Sequence, residues 1–548
     1  MRIIAAFCLA ALFATLPAAP AAAPQDGKGP VIGGDTVIHR FGAEPPTLNP
    51  ITVKDAYGSW ILYYINGYLY MMDKPNAKLK PELASDFPKI SEDKLEWTVP
   101  LRKGVRWHDG ALFTAHDVKA SFDIMMHPKV DSTRTKSYYI DVKEVTVLDD
   151  YTVRFTYTKP YYYTLYSLYD FPIAPKHVLD ELDDPKNWND VKYDKPESAI
   201  GCGPYKLEYW KKGEELSLIR NEDYWGEKPA LKRVRIKFIK DDTAAIQALR
   251  RGEIDTMGIP PQNWERDLKG DSKLLQEYAN LEYYRPFYLY IGWNMGRDLF
   301  KAKKVRKALT MLLDIQDIIK VVYYGYGQQV TGPTYFQSQQ YNKDVKPLPY
   351  DPEAAKRLLA EEGWADTNRD GVLDKDKKDF AFTFMITTQN PVAEKIATAM
   401  KQSYEKAGIL VTIRAFEWGA FLEEMDQDKF DCCSLGWSWD WPEQDLYQVW
   451  HSSQIAERGS NRVKFNNPAA DKLIEDARTE FDDAKRFAMY QRLHEIVYDE
   501  QPYTFLFNPR AIVLFHKRFQ GVRSYPQGMH PRAGFEWWVP KGQEKYAK

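Results

Sequence analysis

The segment from residue 380 to residue 416 restricts the possible fold classes of this chain more than any other feature of its sequence. Residues 391–407 have a helical pattern that Pro391 opens and Gly408 ends. Apolar residues alternate on both sides of it, at Phe380, Phe382, Phe384 and Ile386 and again at Val411, Ile413 and Ala415. A strand–helix–strand unit joins parallel strands through a right-handed crossover, so we predict a doubly wound α/β lobe in the later half of the chain.

The earlier half has the signals of antiparallel pairs. Residues 152–157 alternate polar and apolar side chains, and they follow Val145, Val147 and an Asp149-Asp150 turn. This pattern predicts a hairpin, and residues 234–238 predict a further half-buried strand.

Two helices are marked by their first residues. Thr114 with Asp117 three residues later is typical of a capping box. Asp351-Pro352-Glu353 predicts a second helix start, and Gly363 predicts its end.

The chain has 548 residues, too many for one core, and we expect two to four domains. No repeat or flexible linker separates them, so we expect packed domains that are interleaved in sequence. A net charge of −2 gives no general attraction to nucleic acid or to an anionic membrane.

The first residues are typical of an export signal. Arg2 precedes an apolar run at 3–16, and small residues follow at 18–23. We predict a signal peptide over residues 1–23, cleaved near Ala21 or Ala23. The uncharged run at 56–72 is interrupted by Gly58, Asn66 and Gly67, and we interpret it as a buried helix and not a membrane span.

Three cysteines remain after export, Cys202, Cys432 and Cys433. We predict buried free thiols, with a bridge from Cys202 to either of the other two left open.

The sequence contains no phosphate-binding Gly-rich loop, no H-E-x-x-H pair and no G-x-S-x-G elbow. The nine histidines are scattered, and His108 and His116 are interpreted as loop and helix-cap residues. We therefore expect no enzyme.

One loop has the spacing of a calcium site. Oxygen-bearing side chains stand at Asp366, Asn368, Asp370 and Asp374. These match positions 1, 3, 5 and 9 of an EF-hand loop, but Lys377 stands where the bidentate Glu is needed. A structural calcium ion and a plain Asx-rich turn both remain open.

Aromatic residues are abundant, with 36 Tyr and 16 Trp. They fit large cores with Tyr at their edges, and they also fit an aromatic-lined cleft for an extended ligand.

The most informative stretch is residues 430–450. After Gly436, an Asp440 carboxylate is surrounded by Trp437, Trp439 and Trp441. A carboxylate among indole rings is costly to desolvate unless a cation reaches it. We interpret Asp440 as a cation-binding group suited to an α-amino group; a turn residue before Pro442 is the alternative.

Together with other motifs, this stretch resembles the family 5 extracellular solute-binding proteins, the dipeptide- and oligopeptide-binding components of ABC importers. The matching segments are residues 44–50, 101–110 with 113–118, 201–205 with 220–225, 299–308 with Asp314, 467–468 and 501–503. Cys202 stands where Thr is usual in the family.

The resemblance implies an α/β, periplasmic-binding-protein-like fold of class II, cluster C, a two-lobed Venus flytrap with an additional inserted domain. Ligand would lie between lobes I and III, which close over it. The implied boundaries are lobe I at 24–66, 196–288 and 512–548, inserted domain II at 67–195, and lobe III at 289–511.

The resemblance also implies a function. The protein would bind peptides, oligopeptides foremost, and deliver them to an ABC permease complex of transmembrane subunits and ATPases. We expect a periplasmic protein of Gram-negative type, monomeric, with no nucleic-acid partner and no cofactor besides the open question of calcium.

The same resemblance assigns roles in the site. Residues 436–440 match the Gly-Trp-x-x-Asp pattern that holds the peptide N-terminus in relatives, so Asp440 would pair with the α-ammonium. The backbones of Gly436 and Ser438 would bond the peptide in β-strand fashion. Lys395 lies near the position where dipeptide binders have a carboxylate-clamping Arg, and this departure favours an oligopeptide.

Two alternatives stay open. The same fold also binds oligosaccharides and other small solutes. A secreted hydrolase is the second alternative, and it would need a metal or nucleophile constellation.

Overall fold

The computed structural model describes residues 35–53, 55–73, 78–388, 390–439, 443–455, 460–525, 528–529 and 535–546. The predicted signal peptide, Asp440 and Trp441 lie outside these residues. Within them, no helix combines the length and the apolar composition that crossing a bilayer requires.

A seven-stranded mixed sheet draws its strands from distant parts of the chain. Thr36–Phe41 lies near its middle and pairs in parallel with Arg233–Phe238. The order is Tyr278–Tyr283, Ala511–His516, Thr256–Gly258, Thr36–Phe41, Arg233–Phe238, Glu215–Arg220 and Tyr205–Lys211. Buried Arg518 bonds the buried carboxylates of Asp35 and Asp255, and so ties the two ends of the described chain to this sheet.

A four-stranded antiparallel sheet contains the predicted hairpin. Thr152–Tyr157 pairs with Val142–Asp149, and its side chains alternate between buried and half-buried as predicted. The order is Lys89–Ile90, Glu96–Pro100, Thr152–Tyr157 and Val142–Asp149.

A five-stranded sheet contains the predicted strand–helix–strand unit. Ala381–Thr387 pairs in parallel with Leu410–Phe416 over all seven residues, and the helix Pro391–Glu405 connects them. This prediction is confirmed, with the helix two residues shorter than expected. The order is Leu410–Phe416, Ala381–Thr387, Cys432–Ser438, Phe287–Trp293 and Tyr503–Phe505.

Two-stranded pairs complete the sheets: Tyr70–Asp73 with Lys78–Pro81, Gly327–Gln329 with Phe507–Pro509, and Asp374–Lys375 with Lys378–Asp379. The longer helices are Ala56–Ile65, Ala115–Met126, Asp242–Arg250, Lys303–Met311, Ile315–Val322, Pro352–Glu361, Pro391–Glu405, Trp418–Asp426, Pro468–Thr479 and Asp483–Glu500. Shorter ones are Thr133–Lys136, Thr164–Tyr169, Lys176–Asp180, Pro261–Asn263, Ser272–Glu277, Asp298–Lys301 and Tyr447–Trp450.

Both predicted helix starts are present. Thr114 and Asp117 form the capping box of Ala115–Met126. The Asp351 side chain accepts from the Ala354 amide at the start of Pro352–Glu361. Each cap satisfies an amide that the first turn leaves without a helical partner.

The prediction of one buried helix over residues 56–72 is wrong in its length. The helix ends at Ile65 and Asn66 is its cap, after which Tyr70–Asp73 forms a strand. A Cβ on Gly67 would lie 2.7 Å from the Cys202 sulfur. The chain therefore packs closely against the segment that contains Cys202, at the point where a longer helix would continue.

Two of the recognised sequence motifs contact each other. His108 accepts from the Gly201 amide through Nδ1, and its Nε2 lies 3.1 Å from the Gly203 carbonyl. Burial lowers the pKa of His108 to about 4, so it is neutral and can donate from Nε2. The loop interpretation of His108 therefore fits its contacts. Exposed His116 lies 3.5 Å from Asp150.

The chain crosses between the seven-stranded and five-stranded sheets at two adjacent places. One crossing is residues 284–286 and the other is residues 506–510, which include the short strand Phe507–Pro509. The Asn508 side chain donates to the Arg285 carbonyl, so the crossings are bonded side by side. The four-stranded sheet shares one continuous core with the seven-stranded sheet. The domain boundaries given above stay a prediction.

Candidate ligand-binding site

The strand Cys432–Ser438 carries most of the predicted site. It pairs antiparallel with Phe287–Trp293 along its whole length. On its other side it pairs in parallel with Ala381–Thr387 at Cys432 and Cys433 alone. From residue 434 to residue 438, no strand in the described part of the chain covers this second edge.

The backbone of Gly436 and Ser438 faces the uncovered edge. The Trp439 amide donates to the Pro286 carbonyl at 2.9 Å, on the side of Phe287–Trp293. Backbone groups alternate sides along an antiparallel strand. The amides and carbonyls of Gly436 and Ser438 therefore point away from Phe287–Trp293.

Gly436 is required by close packing. A Cβ on Gly436 would lie 2.5 Å from Cζ of Phe287 and 3.1 Å from the Tyr288 carbonyl oxygen. Any larger residue would have to displace the Phe287 ring.

Two of the predicted tryptophans are half-buried at the end of the strand. The rings of Trp437 and Trp439 are stacked with centroids 6.4 Å apart. The Trp437 indole donates to the Tyr503 hydroxyl at 3.3 Å, and Trp439 contacts the Tyr288 ring. These contacts hold both indoles in place beside the uncovered edge.

A cavity of about 210 Å³ lies beside this strand, and we call it the tyrosine chamber. Its walls come from residues 50–68, 135–172 and 438–439, which are far apart in sequence. Its aromatic lining consists of Tyr63, Tyr68, Tyr138, Tyr139, Tyr163, Tyr166, Tyr169 and Trp439, and Ser438 also contributes. Asp170 supplies the one carboxylate among the described lining residues, and none of them is basic.

Three consecutive tyrosines form hydrogen bonds between one wall of the chamber and residues 443–445, which follow the candidate site in sequence. Tyr161 donates to the Asp445 carboxylate at 2.6 Å, Tyr162 to the Gln444 carbonyl, and Tyr163 to the Glu443 carbonyl. We call these contacts the tyrosine clasp. Arg478 also bonds Asp445 and lies over the Tyr161 ring.

The clasp hydroxyls remain donors at all ordinary pH values. Burial raises the pKa of Tyr161, Tyr162 and Tyr163 well above the usual value for tyrosine. The Asp445 carboxylate adds to this effect at Tyr161.

The structure does not bring Lys395 to this site. Lys395 is exposed near the start of Pro391–Glu405, and it donates to the Gln262 side chain at 2.8 Å. It is absent from the lining of the chamber.

The calcium-like loop is closed by its own hydrogen bonds. The Asp366 carboxylate accepts from the amides of Asp370 and Gly371, and the Asp370 carboxylate accepts from Asn368. Asp374 is turned toward Thr367, to which it is bonded three times. Such bonds are those of an Asx-rich turn. No group of three or more His, Cys, Asp or Glu in the described residues is arranged for a metal. The calcium ion stays a prediction.

All three predicted free thiols, Cys202, Cys432 and Cys433, are buried and unbridged. This prediction is confirmed. Burial raises the pKa of Cys433 to about 12, so its thiol is inert.

The sequence reasoning missed the tyrosine chamber and the clasp. The available signal was the run between Pro160 and Pro172, which contains five tyrosines. That run alone could not show which distant segments its rings would face.

Two α/β lobes joined by two short crossings, with an aromatic cavity next to an uncovered strand edge, define a two-lobed binding protein of the periplasmic type. The sequence pattern of the bacterial extracellular solute-binding proteins, family 5 (Middle), matches residues 78–457. The chain belongs to this family.

Its relatives include peptide-binding proteins. The oligopeptide-binding protein AppA of Bacillus subtilis is 34% identical over 539 residues, covering 95% of this chain and 94% of that protein. The solved structure of AppA with a nonapeptide has a TM-score of 0.81 at 32% identity and covers 94% of this chain and 100% of that chain. DppA from Helicobacter pylori with the peptide STSA has a TM-score of 0.80 at 27% identity, with 93% and 99% covered.

Proposed function

We propose that this protein binds peptides, oligopeptides foremost, at the uncovered edge of Cys432–Ser438, and delivers them to an ABC permease. The observation that carries this proposal is the direction of the Gly436 and Ser438 backbone groups. They offer two amides and two carbonyls to a ligand main chain, beside a cavity that takes side chains.

A peptide added as a strand gains affinity from main-chain hydrogen bonds, and these are the same for every peptide sequence. AppA and DppA, whose structures contain peptides, share this fold over nearly the whole chain. Both facts favour a peptide over a sugar, which has no repeating amide to pair.

Asp440 is the proposed partner of the peptide α-ammonium. It directly follows Trp439, which lines the chamber. The described lining residues include no Lys, Arg or His that would oppose a positive ligand group. A desolvated carboxylate is stabilised when a cation pairs with it.

The position of Lys395 supports an oligopeptide. Its ammonium group is held by Gln262 and lies outside the lining of the chamber. A ligand whose C-terminus is not clamped at one place can vary in length.

We further propose that the protein is a monomer in a Gram-negative periplasm and that it does not chemically change its ligand.

The test is calorimetry of alanine tetrapeptide with a free or an acetylated amino group. We expect acetylation and Asp440→Asn each to weaken binding by more than about tenfold, because an unpaired desolvated charge costs several kcal/mol. Asp298→Asn, at a carboxylate that is 91% exposed in the same lobe, serves as the control and should bind normally.

Equal affinity for the acetylated peptide would refute the amino-group anchor. A rise in melting temperature with oligosaccharides but not with peptides would favour the sugar alternative. Cleaved tetrapeptide after incubation would contradict the absence of turnover.

A further inference from the structure

Several tyrosine hydroxyls in the chamber are bonded to the protein, so these rings offer a ligand their aromatic faces. The Tyr139 hydroxyl donates to the Ser167 carbonyl at 2.7 Å, and that of Tyr163 to the Glu443 carbonyl. The Tyr166 hydroxyl bonds the Glu443 side chain. A ligand group that contacts these three rings therefore meets ring carbons, because their hydroxyls are already bonded to the protein.

The rings are also held in place by one another. Tyr163 and Tyr166 are stacked with centroids 4.7 Å apart, and Tyr68 lies 5.2 Å from Tyr63 and 6.5 Å from Tyr169. A preformed wall loses little conformational freedom when it binds a flat group, so the contact area is gained at low entropic cost.

The charges of the chamber favour one class of side chain over another. The described lining includes Asp170 and no basic residue. An acidic ligand side chain would lose its hydration without an ion-pair partner and would approach another carboxylate. A large aromatic side chain has no such penalty and can stack on the rings.

We infer that the tyrosine chamber receives one side chain of the bound peptide and selects a large aromatic residue at that position while rejecting an acidic one. This inference rests on the proposed peptide-binding function and adds side-chain selectivity to it. Ser438 and Trp439 line the chamber, so the selected residue is one whose main chain pairs with that strand.

The first experiment measures the affinities of alanine tetrapeptides that carry Phe, Glu or Lys at each position in turn. At one position we expect Phe to bind at least about tenfold more tightly than Ala, since that gain matches the burial of one large side chain. Glu at the same position should bind more weakly than Ala.

Two results would overturn the inference. One is affinities within about threefold of each other at every position. The other is a Lys peptide that binds more tightly than the Phe peptide at the selected position, since the chamber would then select charge. If no tetrapeptide binds at all, the proposed function itself fails and the inference falls with it, which is a distinct result.

The second experiment uses variants of the rings. Tyr138→Ala and Tyr166→Ala should each lower the affinity ratio of the Phe peptide to the alanine peptide by about threefold or more, as the loss of one ring contact would. Tyr138 is 47% exposed, so this change leaves the core intact. The matched control is Tyr350→Ala, at a tyrosine that is 52% exposed and outside the chamber.

The ratio of two affinities is insensitive to the fraction of folded protein, because that fraction scales both values equally. An unchanged ratio in both ring variants would overturn the inference. A changed ratio in Tyr350→Ala would do the same, since the selectivity would not belong to the chamber.

Discussion

His494 shows how one buried residue links stability to pH. It is fully buried on the helix Asp483–Glu500, where Nδ1 accepts from the Asn342 amide and Nε2 lies 3.1 Å from the Thr331 hydroxyl. A Cβ on Gly332 would lie 2.1 Å from its ring, so no room for water remains on that side. Burial lowers the pKa of His494 to about 4.

The direction of the pH effect follows from this pKa. The unfolded chain binds a proton at His494 near the usual pKa of 6.5, while the folded chain resists protonation until about pH 4. Its contribution to stability is therefore complete above pH 6.5 and is lost as the pH falls toward 4. The loss is on the order of 3 kcal/mol at 1.36 kcal/mol per pH unit.

We predict that His494→Gln reduces the pH dependence of stability. Between pH 7 and pH 4.5 the variant should lose about 2 to 3 kcal/mol less free energy of unfolding than the wild type, because Gln does not titrate. Urea titrations at the two pH values measure this. His116→Gln, at an exposed histidine, should keep the wild-type dependence, and a wild-type dependence in His494→Gln would contradict the prediction.

Among the structural elements, the tyrosine clasp joins two segments that pack against different hydrophobic cores. Residues 159–172 lie mostly against the core shared by the four-stranded and seven-stranded sheets. Tyr162 reaches instead into the core on one face of the five-stranded sheet and bonds Tyr490. The clasp therefore bridges the two lobes next to the uncovered strand, and we propose that it stabilises a closed form of the protein with its ligand.

We predict that Tyr161→Phe speeds ligand dissociation by about tenfold. The variant loses a hydrogen bond to the Asp445 carboxylate, and bonds to charged groups contribute about 1.5 to 3 kcal/mol. Stopped-flow tryptophan fluorescence on the tetrapeptide complex measures the rate.

Tyr209→Phe is the matched control for the clasp. Tyr209 donates to the Glu215 carboxylate at 2.7 Å within the seven-stranded sheet, so its loss removes an equivalent bond that does not bridge the lobes. Equal dissociation rates for Tyr161→Phe and the wild type would show that the clasp does not contribute to retention.

For the whole molecule, we propose that the two crossings, residues 284–286 and 506–510, form a hinge between the lobes. Arg510 pairs with Glu282 and lies near the Tyr284 ring, so the hinge is short and internally bonded. Large changes in a few backbone dihedral angles at such a place rotate lobes as rigid bodies.

We predict that peptide binding makes the molecule more compact. A compact chain of this length has a radius of gyration of about 24 Å. Small-angle X-ray scattering should give a value near this with saturating tetrapeptide and a larger value without it. The acetylated peptide is the control and should leave the scattering unchanged. Identical curves with and without the free tetrapeptide would exclude a ligand-driven closure.

Much of the local structure was predictable because its causes lie within a few residues. The alternation in 152–157 and 381–387, the cap at Thr114 and the Asp351-Pro352 helix start all act over two to four positions. Of the site, the Gly436–Trp439 backbone was recognisable because its motif is contiguous. The end of the helix at Ile65 was not, since the packing of Gly67 against Cys202 decides it.

The amino-acid sequence was sufficient to identify the family, the parallel unit at residues 380–416 and the binding motif at residues 436–440, because periodicity, capping and motif spacing are short-range properties. The folded chain was needed to show which edge of Cys432–Ser438 is uncovered, where Lys395 lies, and which rings surround the chamber. Those features depend on contacts between segments from about 50 to several hundred residues apart. Such contacts are stabilised by the apolar area they bury, and they leave no periodic pattern along the chain.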